Sequence, residues 1–182
     1  GLSAMGSTIV LHACCAICSA HPVSYLKDMG YRVIVYFYNP NIYPVQEYQK
    51  RFEAQRTLCE HFGCELVEGK CKPELYYDFV KGFEDEPEKG LRCDKCFELR
   101  LRKTAEFAKS IGVNEFTTSI VISPHKNFSK LTSIGERIAK ETGIEYLAVD
   151  FKKKDGFLKT NKISKELNLY RQNYCGCSFS LR

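Results

Sequence analysis

Residues 7–39, STIVLHACCAICSAHPVSYLKDMGYRVIVYFYN, decide the fold. STIVLHA (7–13) is a short apolar, β-branched run that reads as a buried strand. SAHPVSYLKDMG (19–30) reads as a short helix stopped by Gly30. YRVIVYFYN (31–39) is a second strand rich in β-branched and aromatic residues. Between the first strand and the helix sits ACCAIC (13–18), with Cys14 and Cys15 adjacent and Cys18 three residues on.

The alternation continues outward. PNIYP (40–44) is a turn fixed by Pro40 and Pro44. VQEYQKRFEAQRTLCEHFG (45–63) is an amphipathic helix with Val45, Tyr48, Phe52, Leu58 and Phe62 near one face. CELVEG (64–69) is a short third strand. Residues 72–90 are irregular, with a short helix near ELYYDFVKGF and an acidic loop, EDEPEKG. CFELRLRKTAEFAKSIG (96–112) is a helix, EFTTSIVIS (115–123) a fourth strand, NFSKLTSIGERIAKETG (127–143) a helix and EYLAVDF (145–151) a fifth strand. The expected fold is α/β: a doubly wound, mostly parallel five-stranded sheet covered on both faces. We expect one domain over 1–182, with the α/β core at 8–151. Residues 152–182 form a basic C-terminal segment that returns Cys175 and Cys177 to the site, and 1–7 are partly an expression remnant.

The chain has 182 residues, 44% of them hydrophobic, which suits one domain with a real core. No apolar run approaches the ~20 residues that span a bilayer. The first residues lack a secretory signal pattern, so a cytoplasmic location is expected. The net charge of +5 permits an anionic partner such as RNA without demanding one.

Ten cysteines point to metal or redox chemistry when they cluster in a reducing compartment. Cys59 and Cys64 read as buried space-filling thiols and Cys71 as a loop thiol. Cys93 and Cys96 form RCDKCF at a helix start, where helix amides and nearby Arg92 and Lys95 favour thiolate. Cys175 and Cys177 form YCGC near the carboxyl end. ACCAIC follows the first strand, and doubly wound sheets bind ligands beyond the carboxyl ends of their strands, where strand order reverses. Structural zinc, an iron–sulfur cluster and a redox dithiol all remain open at this point. Six clustered thiols exceed the needs of one tetrahedral zinc, and adjacent cysteines make no zinc knuckle, which favours the iron–sulfur cluster.

LHACCAICS, FYNPNIYP, RCDKCFELRL, FTTSIVISPHK and ISKELNLYRQNYCGCSFS together resemble the QueH-type epoxyqueuosine reductases, over essentially the whole chain. The resemblance implies a relative of the adenine-nucleotide α-hydrolase fold. It also implies reduction of epoxyqueuosine to queuosine at the wobble position of tRNA with a GUN anticodon (Tyr, His, Asn, Asp), the last step in making that base. A [4Fe–4S] cluster with a second metal, iron, or a redox thiol pair nearby is implied too. ATP-binding relatives of this fold carry a glycine-rich phosphate loop after the first strand. ACCAIC has no glycine, so an ATP-dependent, thiolase-like tRNA enzyme is the weaker alternative, and a zinc-stabilised RNA-binding module another. CAIC also departs from the CAPC of many members through Ile17.

For that reaction Cys14, Cys15, Cys93 and Cys96 are expected to surround the cluster. Cys175 and Cys177 are expected as a redox dithiol or as ligands of an adjacent metal. His12 is the first candidate proton donor, and a strand-end histidine bonded to backbone is its ordinary alternative. Asp94 is expected to ligate a metal or cap its helix. Tyr38, Asn39 and Asn41 after the second strand, and Ser123, His125 and Lys126 after the fourth, are expected to meet a flipped-out base. Lysines of FKKKDG with Lys159, Lys162, Lys165 and Arg171 are candidates for tRNA phosphates. Ferredoxin or flavodoxin is a plausible electron donor.

Overall fold

The computed structural model describes residues 7–70, 73–85, 91–122, 127–153 and 155–171; the expectations for Cys71, Ser123, His125, Lys126, Cys175 and Cys177 lie outside them. Five strands, β1 (Thr8–His12), β2 (Arg32–Phe37), β3 (Glu65–Glu68), β4 (Glu115–Thr118) and β5 (Glu145–Tyr146), form one sheet in the order β3-β2-β1-β4-β5. Every pairing is parallel. β1 is central: Leu11 pairs with Val35 on one side and Thr117 on the other. Ile9, Val10 and Leu11 are fully buried, as a parallel sheet covered on both faces requires. The chain runs outward from β1 to β3, then restarts at β4 on the other side of β1. Strand order therefore reverses between β1 and β4, and the crevice at their carboxyl ends is the expected ligand site.

The covering helices are α1 (Ala16–Asp28), α2 (Val45–Phe62), α3 (Pro73–Phe79), α4 (Leu91–Ser110), α5 (Phe128–Thr142) and α6 (Gly156–Glu166). Among the described residues no helix is long and apolar enough to cross a membrane. Gly63 and Gly143 stop α2 and α5 in the left-handed region, at φ 66° and 79°, where glycine carries no Cβ penalty.

Four expected boundaries are corrected. α1 begins at Ala16 rather than Ser19, because Cys15 acts as its N-cap: the sulfur accepts the Cys18 N–H at 3.4 Å. α4 begins at Leu91 rather than Cys96, so Cys93 as well as Cys96 lies inside the helix. β4 ends at Thr118, whose hydroxyl accepts the Ile120 N–H at 3.2 Å and turns the chain into a short 3-10 helix, Ile120–Ile122. β5 is only Glu145–Tyr146, continued by one bond from Leu147 N–H to the Phe116 carbonyl at 2.9 Å.

α6 occupies part of what reads as a polar tail. It buries Gly156, Thr160 and Ser164, small residues that leave no apolar periodicity in the sequence. A side chain at Gly156 would collide with the Phe151 carbonyl. The Thr160 hydroxyl accepts the His21 N–H at 3.2 Å and donates to the Ile17 carbonyl. It thus inserts into the α1 ladder directly before Pro22, which cannot donate a backbone bond itself. This stitch fixes α6 to the helix that carries the thiol loop.

Candidate active site

The thiol loop leaves the carboxyl end of β1 at the strand-order reversal. Cys15 and Ala16 are buried, while Cys14 and Cys18 are partly exposed. The thiols of Cys15 and Cys18 both hydrogen-bond to Cys14 and hold its pKa well below the ordinary thiol value, with the Arg100 guanidinium adding to the effect. The same hydrogen bond with Cys14 pushes Cys18 well above the ordinary value. Cys14 therefore carries thiolate character and its neighbours act as donors. Cys93 and Cys96 are buried near the start of α4, and none of the described cysteines is in a disulfide.

A buried polar network holds this loop. Asn39 Nδ2 donates to the Ala13 carbonyl at 3.0 Å, and its Oδ1 accepts from Arg100 Nη1 at 3.3 Å. Arg100, 5% exposed, also lies over the Phe97 ring, 5.2 Å from its centroid. Ser19 Oγ donates to the Cys15 carbonyl at 2.7 Å and accepts from Gln55 Nε2 at 3.0 Å. Ser119 Oγ lies 3.3 Å from Ser19 Oγ, which ties the turn after β4 to α1. Four elements thus fix one loop through side chains that are themselves buried, the arrangement that preorganises a site.

Arg100 is the residue the sequence reading missed. Its signal is helical spacing: Cys96 and Cys93 precede it by four and seven residues, on the same face of α4. Cys96 therefore sits one turn, about 6 Å along the axis, from a cation that acts on Cys14.

His12 is fully buried, with Nε2 3.1 Å from the Tyr38 carbonyl and Nδ1 3.2 Å from Thr118 Oγ1. A carbonyl only accepts, so Nε2 carries the proton and Nδ1 accepts from the threonine hydroxyl. Burial, then the Arg100 charge, lowers its pKa to about 4. Neutral His12 thus has both nitrogens engaged and ties β1 to the strand ends on either side. Tyr38 is 2% exposed, its ring stacked parallel to Tyr36 with centroids 6.1 Å apart. It packs into the interior, and half-exposed Tyr43 is the ring on that loop open to solvent. Asn39 is committed to Ala13 and Arg100. Asn41 differs: it is 4% exposed and its Oδ1 finds no hydrogen-bond partner among the described residues. A buried acceptor left so is costly unless a ligand supplies the donor. Asp94 lies in the first turn of α4, a favourable place for an anion, and pairs with Lys130 on α5 at 3.2 Å.

Beyond the sheet edge, Glu47 and Arg51 form a buried pair at 2.9 Å on α2, and Tyr170 Oη donates to the other Glu47 oxygen at 2.6 Å. Tyr170 thereby anchors the last described stretch against the first turns of α2, at the carboxyl side of the sheet. Lys159, Lys162 and Lys165 lie on the solvent face of α6.

Among the described residues no set of three or more His, Cys, Asp or Glu side chains is arranged to hold a single metal ion. In kind, the donors at the crevice are soft sulfurs, with Cys14 poised as thiolate beside a buried cation. That chemistry fits an iron–sulfur cluster, which Cys14, Cys15, Cys93 and Cys96 would hold.

A sequence profile of the family described as "Epoxyqueuosine reductase QueH" matches residues 9–182. A relative of that name from Dehalococcoides mccartyi is 39% identical over 177 residues, covering 97% of this chain and 93% of the relative. One from Thermotoga maritima is 36% identical over 177 residues, covering 96% and 90%. Among solved structures, the U34-tRNA thiolase NcsA from Methanococcus maripaludis, determined with its [4Fe-4S] cluster, superposes with a TM-score of 0.60 at 13% identity, over 98% of this chain and 61% of that one. A "predicted subunit of tRNA methyltransferase" from Methanocaldococcus jannaschii superposes with a TM-score of 0.58 at 13% identity, over 85% and 76%. At 13% identity these two likenesses show a shared α/β fold. The family match over residues 9–182 and the identities along nearly the full chain show that this protein belongs to the epoxyqueuosine reductase QueH family.

Proposed function

We propose that the protein is an oxidoreductase that reduces epoxyqueuosine to queuosine at the wobble position of tRNA, and that the Cys14 loop is where the reduction occurs. Family membership supports the reaction. The observation that carries the location is the polarised Cys14 thiol at the strand-order reversal, beside buried Arg100. The reaction takes up two electrons and two protons, breaks both epoxide C–O bonds and releases one water as the alkene forms.

In this reading Cys14, Cys15, Cys93 and Cys96 hold a [4Fe–4S] cluster. Cys175 and Cys177, with Asp94, serve an adjacent iron or act as a redox dithiol. The cluster supplies single electrons at low potential. The chain's own residues then have separable tasks. Arg100 stabilises negative charge at the thiolates, which tunes a cluster through its surroundings. His12 and Asn39 position the loop, while Asn41 offers its unused acceptor to a substrate N–H. Ser123, His125 and Lys126 contact the substrate base in this reading. The exposed lysines of α6 meet tRNA phosphates, as does Arg171. The substrate is tRNA with a GUN anticodon, and the electrons come from a ferredoxin or flavodoxin.

The test is direct. Protein purified without oxygen is given a low-potential reductant and tRNA carrying epoxyqueuosine, without ATP, and the nucleosides are resolved by mass spectrometry. Appearance of queuosine, with a brown protein holding about four irons and four sulfides or one iron more, is the expected result. A colourless protein with stoichiometric zinc and no conversion after cluster reconstitution overturns the reading.

A further inference from the structure

Cys59 and Cys64 read in the sequence as unrelated filling residues. The structure makes them neighbours. Gly63, at φ 66°, ends α2 in a left-handed cap. The Cys64 N–H returns to the Cys59 carbonyl at 3.0 Å, and the Gly63 N–H lies 3.4 Å from the Glu60 carbonyl. These two bonds define a Schellman motif, whose geometry brings the side chain just beyond the cap onto the one a turn earlier. That contact is ordinarily apolar. Here both partners are thiols, and they hydrogen-bond to each other. Cys59 is 3% exposed, while Cys64 is partly exposed at the entrance to β3.

We propose that Cys59 and Cys64 are a dithiol modification site that closes to a reversible disulfide by exchange with a low-molecular-weight disulfide. The site lies at the amino end of the sheet, away from the Cys14 loop, and does not depend on the proposed reductase chemistry. Cys64 is the attacking group because it is the reachable one. The Cys59 hydrogen bond and then the Lys27 charge lower its pKa, while the same contact and burial raise that of Cys59. The Cys64 thiolate attacks one sulfur of the small disulfide and expels a first thiolate, which takes up a proton. Cys59 then loses its proton, and its sulfur displaces the second thiolate from Cys64. Two protein thiols are oxidised and one small disulfide is reduced to two thiols.

The test uses the intact, folded protein, prepared without oxygen and exposed to excess oxidised glutathione. The mixture is quenched in acid, alkylated under denaturing conditions, digested and mapped by mass spectrometry. More than half of the chains should carry a peptide linking Cys59 to Cys64, lighter by two hydrogens, and excess reduced glutathione should restore both thiols. Cys59→Ser should instead trap glutathione on Cys64. The proposal is overturned if both cysteines are recovered fully alkylated. It is equally overturned if the unsubstituted chain ends as a stable glutathione adduct on Cys64 with Cys59 still free.

Discussion

The two ends of the sheet carry the same kinds of residue to different effect. At the carboxyl end, Cys14, Arg100, Asn39 and His12 lie in or against a buried network in which a cation acts on a thiol. At the amino end, Arg32 and Glu65 pair at 3.5 Å with side chains 71% and 52% exposed. They line a groove of about 720 Å³ together with Ser7, Asn114 and Glu115. Water screens the second arrangement and leaves the first intact. A positive charge therefore acts strongly on its neighbour only where the surroundings keep water from screening it and satisfy its remaining hydrogen bonds.

Substitutions at the two ends should separate by size. The largest effect is expected at Arg100. Arg100→Met leaves Asn39 Oδ1 without its donor and should cost about 2–3 kcal/mol in denaturant unfolding, with a parallel loss of epoxyqueuosine conversion. Asn39→Ala touches the same bond, so the double variant should cost less than the two single costs combined, by at least about 0.5 kcal/mol. Additive costs would show that Arg100 and Asn39 do not act through one bond.

A smaller effect is expected at Tyr31, whose hydroxyl donates to Glu115 at 3.0 Å at the amino end. Burial, then that carboxylate, raises its pKa to about 12. The folded chain therefore keeps a proton that the unfolded chain loses between pH 10 and 12. Stability from this group is full below pH 10 and falls as pH rises through that window, by about 1–2 kcal/mol after allowing for solvent screening. Tyr31→Phe should remove this part of the slope in unfolding curves taken from pH 9 to 11.5; an unchanged slope would show that the buried hydroxyl is not its source. The smallest effect is expected at Arg32→Ala, within about 0.5 kcal/mol of the parent. A cost above about 1 kcal/mol there would erase the contrast between the two ends.

Much of the fold is legible in the sequence because it rests on local signals. β1 and β2 are continuous apolar runs, and Gly63 and Gly143 mark the ends of α2 and α5. The position of the thiol loop follows from strand–helix alternation alone. What escapes the sequence depends on contacts between distant elements. α6 hides because the face it turns to α1 is Gly156, Thr160 and Ser164, residues that pack by smallness and one inserted hydroxyl. The early start of α1 hides because a cysteine sulfur does the capping that serine or aspartate usually does. In the site, the residue types were readable and their division of labour was not. Asn39 and Asn41 sit two apart on one loop, yet only the structure shows that the first is spent on Ala13 and Arg100 and the second is not. Arg100 looks like any helix arginine until its neighbours across the crevice are known.

The central claim is that thiols at the carboxyl end, and not those at the amino end, carry the reduction. We would compare anaerobic Cys14→Ser and Cys64→Ser proteins in the conversion of epoxyqueuosine-tRNA, each checked for a native unfolding transition. The account predicts no queuosine from Cys14→Ser and conversion within about twofold of the parent from Cys64→Ser, a difference of under about 0.5 kcal/mol in barrier. Full activity in folded Cys14→Ser, or its loss in folded Cys64→Ser, would contradict it.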